Sequence, residues 1–266
     1  MRHFTNLRLE DALTRSVRRG FDYFNHLAVV RKTHLILKRN RFTYALKEQG
    51  IRAASAVDRR RKLKAYFDTQ DCPKLNLGAG KNPIFGWINA DLRPWRKSIV
   101  YMNATKPLPL PSQSLNFLYT EHLIEHIEYE QAHAFLREAF RVLRRGGYMR
   151  IATPDLDRIL RLKTDALDEV ERAYVAWSSL NYQPHQDDNP AFAINRMFRE
   201  YGHRFIYDYR TICGLLVACG FDQVRRGRVG ESEHPEMAGL ERHGHQIGDA
   251  FNRLETLIVE ARKPPA

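Results

Sequence analysis

Cysteine is scarce in this chain. Cys72, Cys213 and Cys219 are the only three, and they show neither metal-ligand spacing nor the density of a disulfide framework. The simplest reading is a reducing, cytoplasmic compartment. No run approaches the roughly 18–20 apolar residues of a membrane-spanning helix. The N-terminus, Met1-Arg2-His3-Phe4, lacks a compact apolar segment followed by a small-residue cleavage site, so no secretory signal is expected. Internal repeats are absent. Proline does not occur before Pro73, and the first 72 residues contain glycine only at Gly20 and Gly50.

What is abundant is basic charge, unevenly placed. The formal net charge is +12. Residues 1–72 hold 17 Lys and Arg against 7 Asp and Glu, whereas residues 73–266 hold 26 against 24. The split suggests a basic helical extension over 1–72 and a nearly neutral domain over 73–266. Phe21, Phe24, Leu27 and Val30 recur at near-helical spacing, and Arg59-Arg60-Arg61-Lys62 forms a charge run close to the boundary. Such an extension suits a solvated helix packed on the domain, or peripheral contact with an anionic membrane surface at its inner face. Nucleic acid is the weaker candidate partner, because no Cys/His finger or RNA-binding signature accompanies the charge.

After Pro73 the pattern changes to short apolar strands. Lys74–Leu77, Trp87–Asp91, Ser98–Met102, Leu115–Tyr119 and Tyr148–Ala152 read as five strands. Phe221–Val224 begins another, and Leu254–Ala261 reads as the last. Glu130–Leu143 reads as a helix, with Arg144-Arg145 in its last turn and Gly146-Gly147 as its stop. Residues 155–206 read as a helical insertion, and Tyr209–Cys219 as a helix ended by Gly220. Strands alternating with helices predict an α/β fold with a doubly wound sheet.

The first strand runs directly into Gly78-Ala79-Gly80. Such a turn brings backbone close to a nucleotide-like ligand at the carboxyl end of a parallel sheet. A dinucleotide site would have a third glycine where Pro83 stands, and its ribose-binding acid about 20 residues on. Here Asp91 comes much sooner, which argues against a nicotinamide cofactor. Only residues 79–87 separate the first two strands. A parallel crossover normally takes a dozen or more, so the first helix must be very short or replaced by a loop.

The ordered series Leu75-Asn76-Leu77-Gly78-Ala79-Gly80, Gly86-Trp87-Ile88-Asn89-Ala90-Asp91, Leu108-Pro109, Tyr119-Thr120-Glu121-His122-Leu123-Ile124-Glu125-His126, Leu143-Arg144-Arg145-Gly146-Gly147 and Ile151-Ala152-Thr153-Pro154-Asp155 resembles class I S-adenosylmethionine-dependent methyltransferases. The resemblance is nearest to a bacterial type 11-like subgroup associated with surface-glycan synthesis, and covers roughly residues 73–262. It implies a Rossmann-like sheet of seven strands with the last antiparallel. It also implies S-adenosyl-L-methionine as cofactor and methylation of a small-molecule or glycan acceptor, with a sugar hydroxyl favoured.

The resemblance implies roles for matching positions. Asn76, Gly78, Ala79 and Gly80 would pass under the methionine part of the cofactor. Asp91, followed by Leu92, would accept from the ribose hydroxyls, a task for an acceptor-only carboxylate. Asn103 and Ala104 would face the adenine, and Glu121 and His122 would border the methionine end. Many relatives carry an acid at the positions of Asn76 and Asn103.

For catalysis, His126 and His203 are the candidate bases, since imidazole titrates near neutrality. Asp208 is read as a helix N-cap in preference to a catalytic group. Glu121/Glu125 and His122/His126 would pair on a helix face. Their order, Glu-His-x-x-Glu-His, is not that of a zinc protease, and no metal is expected. The polar segments 232–236 and 241–245 are candidates for an acceptor pocket or a solvated loop. The alternative function is a methyltransferase-like binding module or adaptor that contacts nucleic acid or membrane through residues 1–72.

Overall fold

The computed structural model describes residues 58–164, 166–180 and 188–265. Most of the basic extension lies outside the described residues. Its described end, helical over 58–67, packs on the domain: Leu63 is buried in the main core, with Tyr66 and Phe67 against it. The Tyr66 hydroxyl donates to Gly86 O at 2.9 Å.

Seven strands form one sheet: β1 Lys74–Leu77, β2 Ile88–Asp91, β3 Val100–Tyr101, β4 Leu115–Glu121, β5 Leu143–Pro154, β6 Asp222–Gly227 and β7 Thr256–Arg262. Their order is β3-β2-β1-β4-β5-β7-β6. Strands β1 to β5 pair in parallel. Strand β7 is antiparallel to both β5 and β6. The order reverses between β1 and β4, and in such sheets ligands sit at the carboxyl ends beside the reversal. Leu75, Leu77, Leu115, Leu118, Met149 and Ile151 form the buried centre.

The β1–β2 connection is a loop. Gly78 N and Ala79 N both donate to Ala90 O, at 2.8 and 3.0 Å, so the loop is laid against the end of β2. Gly78 adopts φ +83°, and a Cβ there would lie 2.7 Å from Leu123 Cδ1. This position therefore needs glycine for both conformation and space.

Helix α1, Tyr129–Val142, packs on β5 and on the later helix Tyr209–Ala218. It ends earlier than its sequence predicts. Leu143 is already extended (φ −66°, ψ 140°), and Arg144 and Arg145 belong to β5. The Arg-Arg-Gly-Gly run is thus no C-cap. Gly146 supplies a φ of +75°, and a Cβ on Gly147 would sit 2.9 Å from Asn116 O. The glycines let the start of β5 bend close along β4, where the register shifts.

The insertion contains α2 Leu156–Arg161, α3 Glu169–Ser179 and α4 Pro190–Arg199. Ile159, Leu162, Tyr174, Val175, Ala193, Met197 and Ile206 give it a second core. Helix α5, Tyr209–Ala218, is capped by Asp208, whose side chain accepts from Thr211 N at 2.7 Å. Two short helices follow, α6 Gly244–Ile247 and α7 Asp249–Glu255. Glu255 therefore ends a helix, where the sequence placed it in the last strand. No helix among the described residues is long and apolar enough to cross a membrane.

One buried charge network ties the loop before α6 to the sheet. Arg150 is fully buried in β5. Its Nε donates to Glu241 Oε1 and its Nη1 to Glu260 Oε1, both at 2.7 Å. The guanidinium also donates to Glu231 O at 2.9 Å and Arg228 O at 3.1 Å. Glu241 Oε2 accepts from Gly230 N at 2.8 Å. A buried guanidinium satisfied this fully fixes where the 228–243 segment lies.

Candidate active site

Two cavities meet at the carboxyl end of the sheet. The first, about 420 Å³, is lined by the Gly78-Ala79-Gly80 loop, Asn76, Tyr119, Glu121 and Arg242, among others. The second, about 200 Å³, is lined by His126, His203, Tyr174, Trp177, Arg196 and Glu255, among others. His122 and His243 line both. Their rings stand 4.1 Å apart, centroid to centroid.

Asp91 does not itself line the first cavity but adjoins it through Gly80, which does. Its Oδ2 accepts from Gly80 N at 2.9 Å and its Oδ1 from Arg93 N at 2.7 Å. A carboxylate oxygen can accept twice, so each retains capacity for a hydroxyl. Leu92 is exposed beside it, and Ala104 is buried. Asn103 Oδ1 already accepts from Thr105 N and Oγ1, both at 2.9 Å. Asn76 is buried, and its Nδ2 donates to Asn89 Oδ1 at 2.9 Å. Where many relatives carry an acid, this amide pair holds β1 to β2 and shapes the cleft floor.

Glu121 ends β4 and does not share a helix face with Glu125, because the chain makes a sharp turn between them. Its carboxylate accepts from Arg242 N at 2.8 Å and His243 N at 2.9 Å. It therefore clamps the 242–243 backbone over the cleft. His122 adopts φ +48°, a conformation rare outside glycine and concentrated at functional sites. A short 3₁₀ turn, Ile124–His126, follows.

The His122 side chain is oriented by Glu125, Nδ1 to Oε1 at 2.8 Å. Thr153 Oγ1 donates to the other Glu125 oxygen at 3.0 Å. Burial opposes charge on both groups. The short bond and mutual attraction outweigh it, holding His122 up at about 9 and Glu125 down at about 2. His122 Nε2 is buried and has no hydrogen-bond partner among the described residues.

In the second cavity, His203 Nδ1 lies 2.6 Å from Met197 O. A carbonyl only accepts, so Nδ1 carries the proton and Nε2 the lone pair. Burial lowers the His203 pKa and the nearby Glu125 charge only partly offsets this. His126 is exposed, at 4.9 Å between ring centroids from His203. Glu255 is buried, accepting from Tyr174 Oη at 2.5 Å and facing His243 Nε2 at 3.0 Å. Tyr174, Trp177, Arg196 and Tyr201 all come from the insertion. Arg196 lies over the Trp177 ring at 4.0 Å.

Both proposed bases thus reach one cavity. Of the two later polar segments, 241–245 faces the site through Arg242 and His243. The 232–236 segment does not, since His234 stacks on Tyr148 at 3.9 Å, away from both cavities. Tyr174, Trp177, Arg196, Tyr201 and Glu255 were missed in sequence. Only the Tyr201-Gly202-His203 run carried a signal.

Residues 87–151 match a family model described as a methyltransferase domain. No curated protein matches significantly. The fold is similar to that of a SAM-dependent methyltransferase from Archaeoglobus fulgidus, at 17% identity and TM-score 0.44, covering 83% of this chain and 99% of that one. It is similar also to a SAM-dependent methyltransferase from Methanosarcina mazei, at 14% identity and TM-score 0.41, covering 77% and 97%. A third likeness is to phosphoethanolamine N-methyltransferase 2 from Haemonchus contortus, at 11% identity and TM-score 0.38, covering 77% of this chain and 52% of that one. Likenesses this distant do not bear on what the chain acts on. The strand order with its antiparallel seventh strand is the Rossmann-like methyltransferase sheet that the sequence resemblance implied, and the methyltransferase-domain match spans its β2 to β5 region.

Proposed function

We propose that the chain binds S-adenosylmethionine in the glycine-loop cavity and methylates an acceptor hydroxyl, of a sugar or glycan type, in the histidine-lined cavity. The observation that carries this reading is the junction of the two cavities at His122 and His243. The residues present fit the cofactor. The larger cavity has the size of a small-molecule site, Gly78 and Gly80 leave backbone at its floor, and Asp91, bonded to Gly80 N, keeps free acceptor capacity next to it.

The bound cofactor supplies an electrophilic methyl group. The protein's own work is to hold and align the acceptor and exclude water. Tyr174, Trp177 and Tyr201 offer flat apolar faces with polar tips. Polar imidazoles around them support a hydroxylated acceptor. His203 Nε2, unprotonated at neutral pH, takes the acceptor proton, and His126 at the mouth is the alternative base.

The test is calorimetric titration of the full chain with S-adenosylmethionine and its demethylated product, followed by methyl transfer to a panel of saccharides. Absence of any heat or thermal shift would remove the basis of this reading. Binding with transfer only to amines or carbon acids would overturn the hydroxyl assignment.

The exposed surface beside the cofactor cavity favours a peripheral contact as well. Phe85, Leu92 and Trp95 are exposed among exposed Lys81, Arg93, Arg96 and Lys97. Lys62 of the basic helical segment donates to Lys97 O in the same region. Apolar groups ringed by cations suit an anionic membrane surface. Co-sedimentation with anionic but not neutral vesicles is the expected result, and equal recovery from both would reject it.

A further inference from the structure

We infer that His122, His243 and Glu255 form a binding site for one divalent transition-metal ion at the junction of the two cavities. One ligand atom from each lies within 4.8 Å of the others. Nitrogen and oxygen ligands about 2.0–2.2 Å from zinc stand roughly 3–3.6 Å apart, so small side-chain rotations close the set. Two imidazoles and one carboxylate suit zinc, manganese, iron, cobalt or nickel better than magnesium or calcium.

Three further observations point to an ion. His122 Nε2 is buried without a partner among the described residues, a costly state for a polar atom. The two imidazole rings, His122 and His243, stand 4.1 Å apart, centroid to centroid. His122 Nδ1 is bonded to Glu125 Oε1 at 2.8 Å, the carboxylate–imidazole arrangement that orients metal-bound histidines. Glu255 is fixed in the same way by Tyr174 at 2.5 Å.

Three protein ligands leave a coordination position open, and His122, His243 and Glu255 all line the smaller cavity, from which an acceptor oxygen would reach it. An acceptor oxygen bound there would have its hydroxyl pKa lowered. That use of the ion rests on the methyl-transfer reading, whereas metal binding does not. The spacing in sequence gave no hint of the site, because two of its three ligands come from beyond residue 240.

The test uses the full chain, stripped with chelator and titrated with Zn²⁺ or Co²⁺ in the absence of cofactor. One equivalent should bind, with visible ligand-field bands for Co²⁺. His243→Ala and Glu255→Gln should each weaken binding by about 100-fold or more, and Glu125→Gln, acting through His122, by about 10–100-fold. His203→Ala should change it little. An unchanged circular-dichroism spectrum and urea midpoint check that each variant is folded, and His243→Ala decides if Glu255→Gln is not. Wild-type protein that binds cofactor but no metal overturns the site and spares the methyl-transfer reading. Metal binding without cofactor binding does the reverse. Loss of metal in His203→Ala but not His243→Ala would move the ion to the neighbouring Glu125, His126 and His203 cluster and overturn the assignment.

Discussion

Glu121 and His243 are joined across the cleft by a carboxylate that accepts the His243 backbone N–H at 2.9 Å. The last residue of β4 thus positions a loop residue far away in sequence. The same loop is held from behind by the Arg150 network. The two cavities are therefore aligned by charge and hydrogen bonding as well as by the apolar packing of Met237 and Leu240.

Arg150→Met tests the rear anchor. It removes the partner of Glu241 and one of the partners of Glu260, leaving carboxylates buried. We expect a loss of about 3–5 kcal/mol in urea unfolding, the scale for breaking a buried pair from one side. A loss below about 1 kcal/mol, as for an exposed pair, would show that the network does not anchor the loop.

Asp91→Ala should weaken S-adenosylmethionine binding by about 1–3 kcal/mol, the scale for hydrogen bonds to a charged group. Calorimetry reads this directly. Unchanged affinity would reject the ribose role.

Gly78→Ala and Gly80→Ala should separate. Both residues have positive φ, a strain of about 1–2 kcal/mol for a side-chain-bearing residue. Only the Cβ at position 78 also meets Leu123 Cδ1, at 2.7 Å. Denaturation should therefore show the larger loss for Gly78→Ala. Equal losses would mean that Leu123 moves aside freely.

The methyl-transfer rate should report His203. Its pKa lies below the ordinary value of 6.5 because burial disfavours the imidazolium. The neutral base then predominates at pH 7 and above. The rate should be flat there and fall as pH drops through that lowered value, with the fall abolished in His203→Gln. A fall beginning well above pH 7 would assign proton transfer to another group.

Asp208→Ala should cost about 1 kcal/mol, as for the loss of an N-cap, and leave the turnover number unchanged. A turnover loss of tenfold or more would give Asp208 a role beyond its bond to Thr211 N.

Most of the sheet was legible because β1, β2, β4 and β7 each hold a short apolar-rich run bounded by turn residues, whereas only the start of the polar strand β6, Asp222–Gly227, was read. Where local chemistry had two uses, sequence reading went astray. Arg144-Arg145-Gly146-Gly147 has the composition of a helix end, yet close approach to Asn116 O requires the same glycines inside β5. The glycine loop and Asp91 were legible for the same reason of contiguity. The acceptor cavity was not. Tyr174, Arg196, His243 and Glu255 sit on four separate segments, and only tertiary packing converges them.

The loop between β1 and β2 has a kinetic consequence. With no helix walling that side, the larger cavity has its own opening, while the smaller one opens at exposed His126. Neither ligand need leave before the other. If the proposed methyl transfer holds, random-order addition is the expected outcome, with the spent cofactor exchanging while acceptor stays bound and several positions of one molecule methylated in one encounter. Pulse–chase with a multiply hydroxylated acceptor distinguishes this from release after every transfer.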